Sequence, residues 1–107
     1  MSEIDEPAVP TVMKEITYDN FSKICRSCII NRGEIDVFEA HMQNVPLSNV
    51  IFSCTNELVT KTDGLSRVIC NICMKLLINS YTFVKTFKES QVNLMNMHKV
   101  FKNKNIL

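Results

Sequence analysis

Two pairs of cysteines constrain this chain more than any other feature of its sequence. Residues Cys25–Cys28 and Cys70–Cys73 are both C-x2-C motifs, and a long stretch of chain separates them. Two thiolates at this spacing bind one tetrahedral ion, and four give a closed zinc site with no open position for a substrate. Closing the loop costs only about 0.6 kcal/mol more per doubling of its length, whereas zinc binding supplies on the order of 10 kcal/mol. The sequence therefore predicts one structural Zn²⁺ held by Cys25, Cys28, Cys70 and Cys73.

The length and the N-terminus support a metal rather than disulfides. A chain of 107 residues forms one small domain, and a core of that size needs an additional staple. The N-terminus is acidic and lacks the apolar segment of a secretory signal, which favours a reducing compartment. No apolar run reaches the length of a membrane span, so no membrane association is expected. A redox pair and an iron site are the alternatives, but two C-x2-C pairs in one small chain favour a shared zinc ion.

Charge divides the chain into a predicted domain and two tails. Residues 1–19 hold five acids and one lysine, whereas residues 75–107 hold six lysines and one acid. We interpret residues 1–20 as a flexible acidic tail, residues 21–98 as the zinc-binding domain and residues 99–107 as a basic tail. Within the first tail, Ala8–Met13 resembles the AVPT-type box that closes THAP DNA-binding domains, although no zinc ligands precede it.

The remaining patterns predict an α+β fold. A short strand is expected near Ile35–Phe38, and a helix is expected to begin at Pro46. A further strand is expected over residues 57–60. Ser66 is the expected N-cap of a long last helix over residues 68–102, a stretch without Gly or Pro, which is either one continuous helix or one that frays after Asn93. The second cysteine pair lies at the start of that helix. The sequence therefore predicts a small treble-clef-like zinc-binding domain with short strands and a long C-terminal helix.

The remaining residues of the types that can bind metals or act in catalysis suggest no second site. Cys54 shares a helical face with Leu47 and Val50, which predicts a small buried apolar residue rather than a fifth ligand. His41 and His98 are not spaced with any cysteine as a ligand pair. No nucleophile elbow, phosphate loop or catalytic carboxylate pair is recognisable, so the sequence predicts that the protein is not an enzyme.

The stretch from about Phe21 to Met97 resembles the zinc-finger-associated domain (ZAD) of arthropod transcription factors. The resemblance rests on Cys25-Arg26-x-Cys28, on Asp63-x-Leu65 and on Ile69-Cys70-x-x-Cys73, and it continues in the helix. The helix residues that match are Leu77, Tyr81, Phe83, Phe87, Lys88, Ser90 and Leu94.

The resemblance implies a nuclear, zinc-stabilised interaction module of a transcription regulator. Members of the family act as homodimerisation devices, so a second copy or another ZAD-type protein is the implied partner, and the last helix is implied in the interface. It also favours a structural role for Arg26, in which a buried guanidinium binds backbone carbonyls or a carboxylate, over an ordinary surface arginine. The candidates for core or interface, which the sequence does not separate, are Leu77, Tyr81, Val84, Phe87 and Leu94.

Direct nucleic-acid binding by a THAP-like domain is the alternative function. Its electrostatic support is the lysine-rich end of the chain. The fourth predicted ligand is Cys73, whereas a THAP domain has a histidine at that position.

Overall fold

Over residues 11–104 the fold is α+β and is built around two short sheets and two helices. The computed structural model describes residues 11–104. A 3-10 turn at Phe21–Lys23 precedes the first cysteine pair. The strands are β1 (Ile35–Asp36), β2 (His41–Met42), β3 (Val45–Pro46) and β4 (Val68–Ile69), and the helices are α1 (Leu47–Thr55) and α2 (Asn71–Asn103). The predicted fold class is confirmed.

The chain around the first cysteine pair forms a tight knuckle. Ile24 and Arg32 pair as an antiparallel bridge, and the Cys25 N–H donates to the Asn31 carbonyl at 2.8 Å. The turn between them is completed by Ile29 with a φ of 60°, a value that a β-branched residue rarely adopts and that the surrounding hydrogen bonds must enforce. The knuckle brings the side chains of Cys25 and Cys28 to one side of the turn.

Strand pairing joins the knuckle to the start of α2. Strands β1 and β4 are antiparallel, with Ile35 opposite Ile69 and Asp36 opposite Val68. The Arg26 N–H also donates to the Val68 carbonyl at 2.8 Å. Because β4 ends directly before Cys70, this pairing fixes the second cysteine pair beside the first.

A hairpin between the two halves leads into α1. Strands β2 and β3 are joined by Gln43 and Asn44, which have φ values of 51° and 70°. Positive φ at both central residues matches the twist of a two-residue hairpin. Helix α1 begins at Leu47 with Pro46 as its N-cap, and it ends at Asn56 in the left-handed region.

The core is small and lies between α1, the first half of α2 and the metal centre. Its fully buried apolar side chains are Val37, Leu47, Val50 and Ile69. Ile51 and Cys54 pack against them from α1, so the predicted helical face is the buried one. Cys54 is therefore a partly buried member of the core.

Two predicted local features are wrong. Residues Glu57–Thr60 form no strand. Ser66 does not cap α2, because β4 lies between it and the helix and the N-cap is Cys70. The Ser66 side chain is buried, and its hydroxyl donates to the Ile24 carbonyl at 2.6 Å. This serine therefore ties the strand before α2 to the knuckle.

Part of the predicted N-terminal tail pairs with the knuckle. Val12 bridges Asn31, and the Met13 N–H donates to the Ile30 carbonyl at 2.8 Å. Most of the side chains in this segment are exposed, so its contacts are mainly between backbones. Ala8–Pro10, on which the resemblance to an AVPT-type box depends, lie outside the described residues, and the predicted domain boundaries remain predictions.

Replacing Leu47 should show how much the small core contributes to the free energy of unfolding. Leu47→Ala removes a side chain that is 1% exposed, so we expect the free energy of unfolding to fall by about 2–5 kcal/mol. The matched control is Leu58→Ala, because Leu58 is 70% exposed and its loss should matter far less. Urea unfolding of the zinc-loaded protein, followed by circular dichroism, measures both. An equal loss in the free energy of unfolding for Leu47→Ala and Leu58→Ala would contradict the assignment of Leu47 to the core.

Candidate metal centre

Four thiols meet at one point of the structure. The Sγ atoms of Cys25, Cys28, Cys70 and Cys73 all lie within 4.8 Å of one another. A tetrahedral zinc ion with Zn–S distances of about 2.3 Å requires sulfurs about 3.8 Å apart, so this cluster fits such an ion with little adjustment. Cys25, Cys70 and Cys73 are buried and Cys28 is half-buried. The cluster forms one potential zinc-binding site, as the spacing predicts.

Two different backbone structures supply the thiols. Cys25 and Cys28 come from the knuckle, whereas Cys70 is the N-cap of α2 and Cys73 lies in its first turn. The N-terminus of a helix carries unpaired N–H groups and a partial positive charge, both of which stabilise negative sulfur. A knuckle facing a helix N-terminus is the arrangement expected of a treble-clef-like centre.

Backbone N–H groups surround the sulfur of Cys25. It accepts hydrogen bonds from the N–H groups of Ser27 at 3.4 Å, Cys28 at 3.5 Å and Cys70 at 3.2 Å. The last of these crosses from the helix to the knuckle. The two halves of the centre are therefore held together by a hydrogen bond as well as by any metal that the thiolates bind.

The other sulfurs have fewer donors. The Ile30 N–H donates to Cys28 Sγ at 3.4 Å, and the side-chain amide of Asn31 donates to Cys70 Sγ at 3.5 Å. Sequence reasoning missed Asn31, because no spacing rule connects it to a cysteine on another element. Such neighbours orient metal ligands and tune their charge.

The environment shifts the thiol pKa values in opposite directions. Burial opposes ionisation of Cys70, but the Asn31 amide, the Cys73 N–H and the neighbouring thiols outweigh it and lower the pKa of Cys70 to about 7. Burial raises the pKa of Cys73 to about 12. These surroundings therefore favour the ionised form of Cys70 and the protonated form of Cys73.

Arg26 connects the knuckle to the turn that precedes β4. Its guanidinium donates to the Ser66 carbonyl at 2.9 Å and to the two carboxylate oxygens of Asp63 at 2.8 and 3.3 Å. The ion pair is mostly shielded, with 19% of the Arg26 side chain exposed. Asp63 in turn accepts the N–H groups of Thr60 and Leu65, and the Arg26 guanidinium holds the pKa of that carboxyl well below its usual range.

The remaining cysteine and the two histidines lie outside the cluster. Cys54 is not among the clustered thiols, and burial raises its pKa. The His41 ring contacts the Glu39 carbonyl at 3.0 Å through Nδ1. His98 is exposed on the second half of α2.

The structure separates the candidates for core and interface on α2. Leu77 and Tyr81 pack against the core, and Val84 is half-buried, whereas Phe87 and Leu94 are exposed. Every residue from Lys85 to Lys104 is exposed. The second half of α2 therefore extends beyond the domain without cover from the described part of the chain.

An apolar stripe runs along α2 from Leu76 and continues over this uncovered length. Phe87 and Leu94 belong to a series of positions on α2 that are spaced alternately by four and three residues. The large apolar side chains of this series are between 41% and 67% exposed. We call this stripe the exposed seam. Its apolar members are Leu76, Phe83, Phe87, Leu94, Met97 and Phe101, with Ser80 and Ser90 completing the series.

The comparisons with known proteins agree with this geometry. Residues 24–97 match the model of a family described as the zinc-finger associated domain (zf-AD), which is more than half of the 107 residues. Neither the curated proteins nor the solved structures include a match to the chain. Among the described residues, no helix combines the length and the apolar character needed to cross a membrane.

Serine substitutions should separate metal ligands from the fifth cysteine. Cys70→Ser and Cys73→Ser each remove a charged sulfur from the site, so we expect loss of zinc and unfolding. Cys54→Ser should keep both zinc and fold, because Cys54 lies outside the cluster. Zinc content by atomic absorption and circular dichroism measure the outcome. Zinc loss in Cys54→Ser equal to that in Cys70→Ser would refute the ligand assignment.

Replacing Arg26 with lysine should destabilise the domain. Arg26→Lys keeps the charge but loses the planar group that binds a carboxylate and a carbonyl together. We expect a loss of about 1–3 kcal/mol in the free energy of unfolding, since a shielded carbonyl is left without its donor. The control is Arg32→Lys, because Arg32 approaches Glu34 only at 3.9 Å and is more exposed. If both variants unfold at the same urea concentration, Arg26 has no special role.

Proposed function

The chain belongs to the zinc-finger associated domain family, and from that premise we propose that it pairs with a second copy of itself inside a transcription regulator. The zinc-stabilised domain provides the rigid base, and α2 provides the contact surface. In this proposal the module is non-catalytic and acts in the nucleus. Another domain of the same family is the second possible partner.

The exposed seam is the observation that carries the proposal. Large apolar side chains at alternating spacings of four and three residues lie on one side of a helix, and two such helices bury them by winding around each other. In proteins most of the stability of a helix comes from packing of its apolar face, and the second half of α2 has no such packing within residues 11–104. Pairing would therefore stabilise the second half of α2 and remove its apolar side chains from water.

The residues beside the seam allow two identical helices to approach. These flanking positions set partner choice in paired helices, because charges there attract or repel the facing helix. In α2 they carry no lysine and no acid: Val84, Thr86, Gln91, Asn93, His98 and Val100. The four lysines within this half of α2, Lys85, Lys88, Lys99 and Lys102, lie farther from the seam, whereas Lys104, directly after the helix, falls on the next position of its spacing. Two copies can therefore meet along the seam as far as Phe101 without direct lysine repulsion.

Lysine substitutions on and off the seam test the pairing. Phe87→Lys and Leu94→Lys place charges inside the proposed contact, so we expect both variants to be monomers at tens of micromolar, where the unmodified protein is a dimer. Val92→Lys is the matched control, because Val92 is equally exposed at 58% but lies on another side of the helix. Sedimentation equilibrium of the zinc-loaded proteins measures the mass.

Two results would contradict the proposal. One is a strictly monomeric unmodified protein with zinc bound. The other is a dimer that Val92→Lys disrupts as strongly as Leu94→Lys, since the contact would then not follow the seam. A monomer that forms a complex only with another family member would replace self-pairing by hetero-pairing.

A further inference from the structure

A cleft of about 480 Å³ opens beside the metal centre. Its apolar walls come from Ile51, Leu58, Val59, Leu65 and Leu77, and Ser27 and Cys73 also line it. The volume lies in the range that holds small organic ligands. No apolar member of the exposed seam lines this cleft, so a ligand could enter it whether or not two copies of the chain pair.

Cys73 is the only one of the four clustered thiols that lines the cleft within residues 11–104. Cys25 and Cys70 are fully buried, while Cys73 is 8% exposed. Cys28 is half-buried but is not part of the cleft wall. A molecule with an apolar body that enters the cleft therefore meets Cys73 before the other clustered sulfurs.

Cys73 also differs from the other clustered sulfurs in its hydrogen bonds. Cys25, Cys28 and Cys70 each accept at least one N–H group. In the described part of the chain no N–H group donates to Cys73 Sγ, and its polar neighbours are the Ser27 hydroxyl and the other thiols of the cluster. When zinc is bound all four sulfurs are thiolates, and each hydrogen bond withdraws charge and lowers nucleophilicity. Cys73 is thus the least protected nucleophile of the centre.

We propose that Cys73 is a modification site for apolar α,β-unsaturated carbonyl compounds, which enter the cleft and convert this sulfur to a thioether. Cys73 Sγ forms a bond to the β-carbon of the double bond. The electron pair of that double bond moves to the α-carbon, which takes a proton from water and leaves hydroxide. The sulfur loses its negative charge and becomes a weak ligand, so the centre holds zinc with three thiolates and releases it more readily.

The test compares two electrophiles on the zinc-loaded full chain. The Cys54→Ser protein is used so that the free thiol does not react. N-benzylmaleimide is the apolar probe of the proposed class, and iodoacetamide is the small polar control. Peptide mass spectrometry at less than one adduct per chain identifies the first site, and a zinc-binding dye follows release of the metal.

We expect N-benzylmaleimide to modify Cys73 first and to release zinc at the same rate. A first adduct at Cys28, Cys25 or Cys70 with this probe would overturn the proposal. So would formation of a Cys73 adduct with no faster release of zinc than in untreated protein.

Substitutions in the cleft wall test whether the cleft directs the reagent, and a substitution beside the sulfur tests whether hydrogen bonding limits the reactivity of Cys73. Leu58→Glu and Leu65→Glu change side chains that are 70% and 51% exposed, so the fold should tolerate them. Each should slow the reaction with N-benzylmaleimide several-fold and leave the reaction with iodoacetamide unchanged. Val92→Glu, outside the cleft, is the matched control and should change neither rate.

Ser27→Ala removes the hydroxyl beside Cys73 Sγ and should raise the rates with both probes. Zinc content is measured before treatment, so that a weakened site is not mistaken for a faster reaction. If the leucine variants slow both probes equally, or neither, the cleft does not direct the reagent and the proposal fails.

Discussion

The meeting of four thiols is the contact on which the rest of the structure depends. The fully buried apolar side chains are few, and a core of this size is marginal without a staple. The thiols join a knuckle near one end of the chain to the first turn of α2. Because zinc binding supplies on the order of 10 kcal/mol, it outweighs the cost of closing the long loop between the two cysteine pairs.

A layer of hydrogen bonds and one ion pair surrounds the centre and supports it. The pairing of β1 with β4 and the N–H of Cys70 on Cys25 Sγ set the two halves in register. The Arg26–Asp63 ion pair fixes the turn that leads into β4. Since each of these bonds joins residues more than thirty positions apart, they hold the same distant segments together as the thiols do. They therefore support the positions of the four cysteines.

The same anchor gives α2 two different halves. The first half packs on the core through Leu77 and Tyr81, and its start is fixed at the metal centre. The second half extends into water with the exposed seam along it. A rigid base is useful to such a helix, because the direction of the helix is then set by the domain and not by the partner. This division assigns stability to the first half and, in the proposed function, contact to the second.

The sequence by itself determined which four cysteines cluster, the long helix and the family, because these depend on local spacing. The C-x2-C pairs, the absence of Gly and Pro over residues 68–102 and the motif around Asp63 are all readable without a fold. It also predicted the buried face of α1, since that face follows from helical periodicity alone. The same four cysteines also indicate which metal is bound, because few ions other than zinc suit four thiolates in so small a chain.

Only the tertiary structure decided where α2 begins, which donors protect each sulfur and which apolar residues of α2 are covered. Ser66 has the residue type of an N-cap, but the pairing of β4 with β1 moves the helix start to Cys70 and turns Ser66 into a buried contact. Asn31 reaches Cys70 across elements that are distant in sequence. Leu77 and Leu94 are the same residue type on the same helix, and they differ in burial because the core ends near Val84. Contacts between distant segments leave no period in the sequence, which is why spacing alone did not predict them.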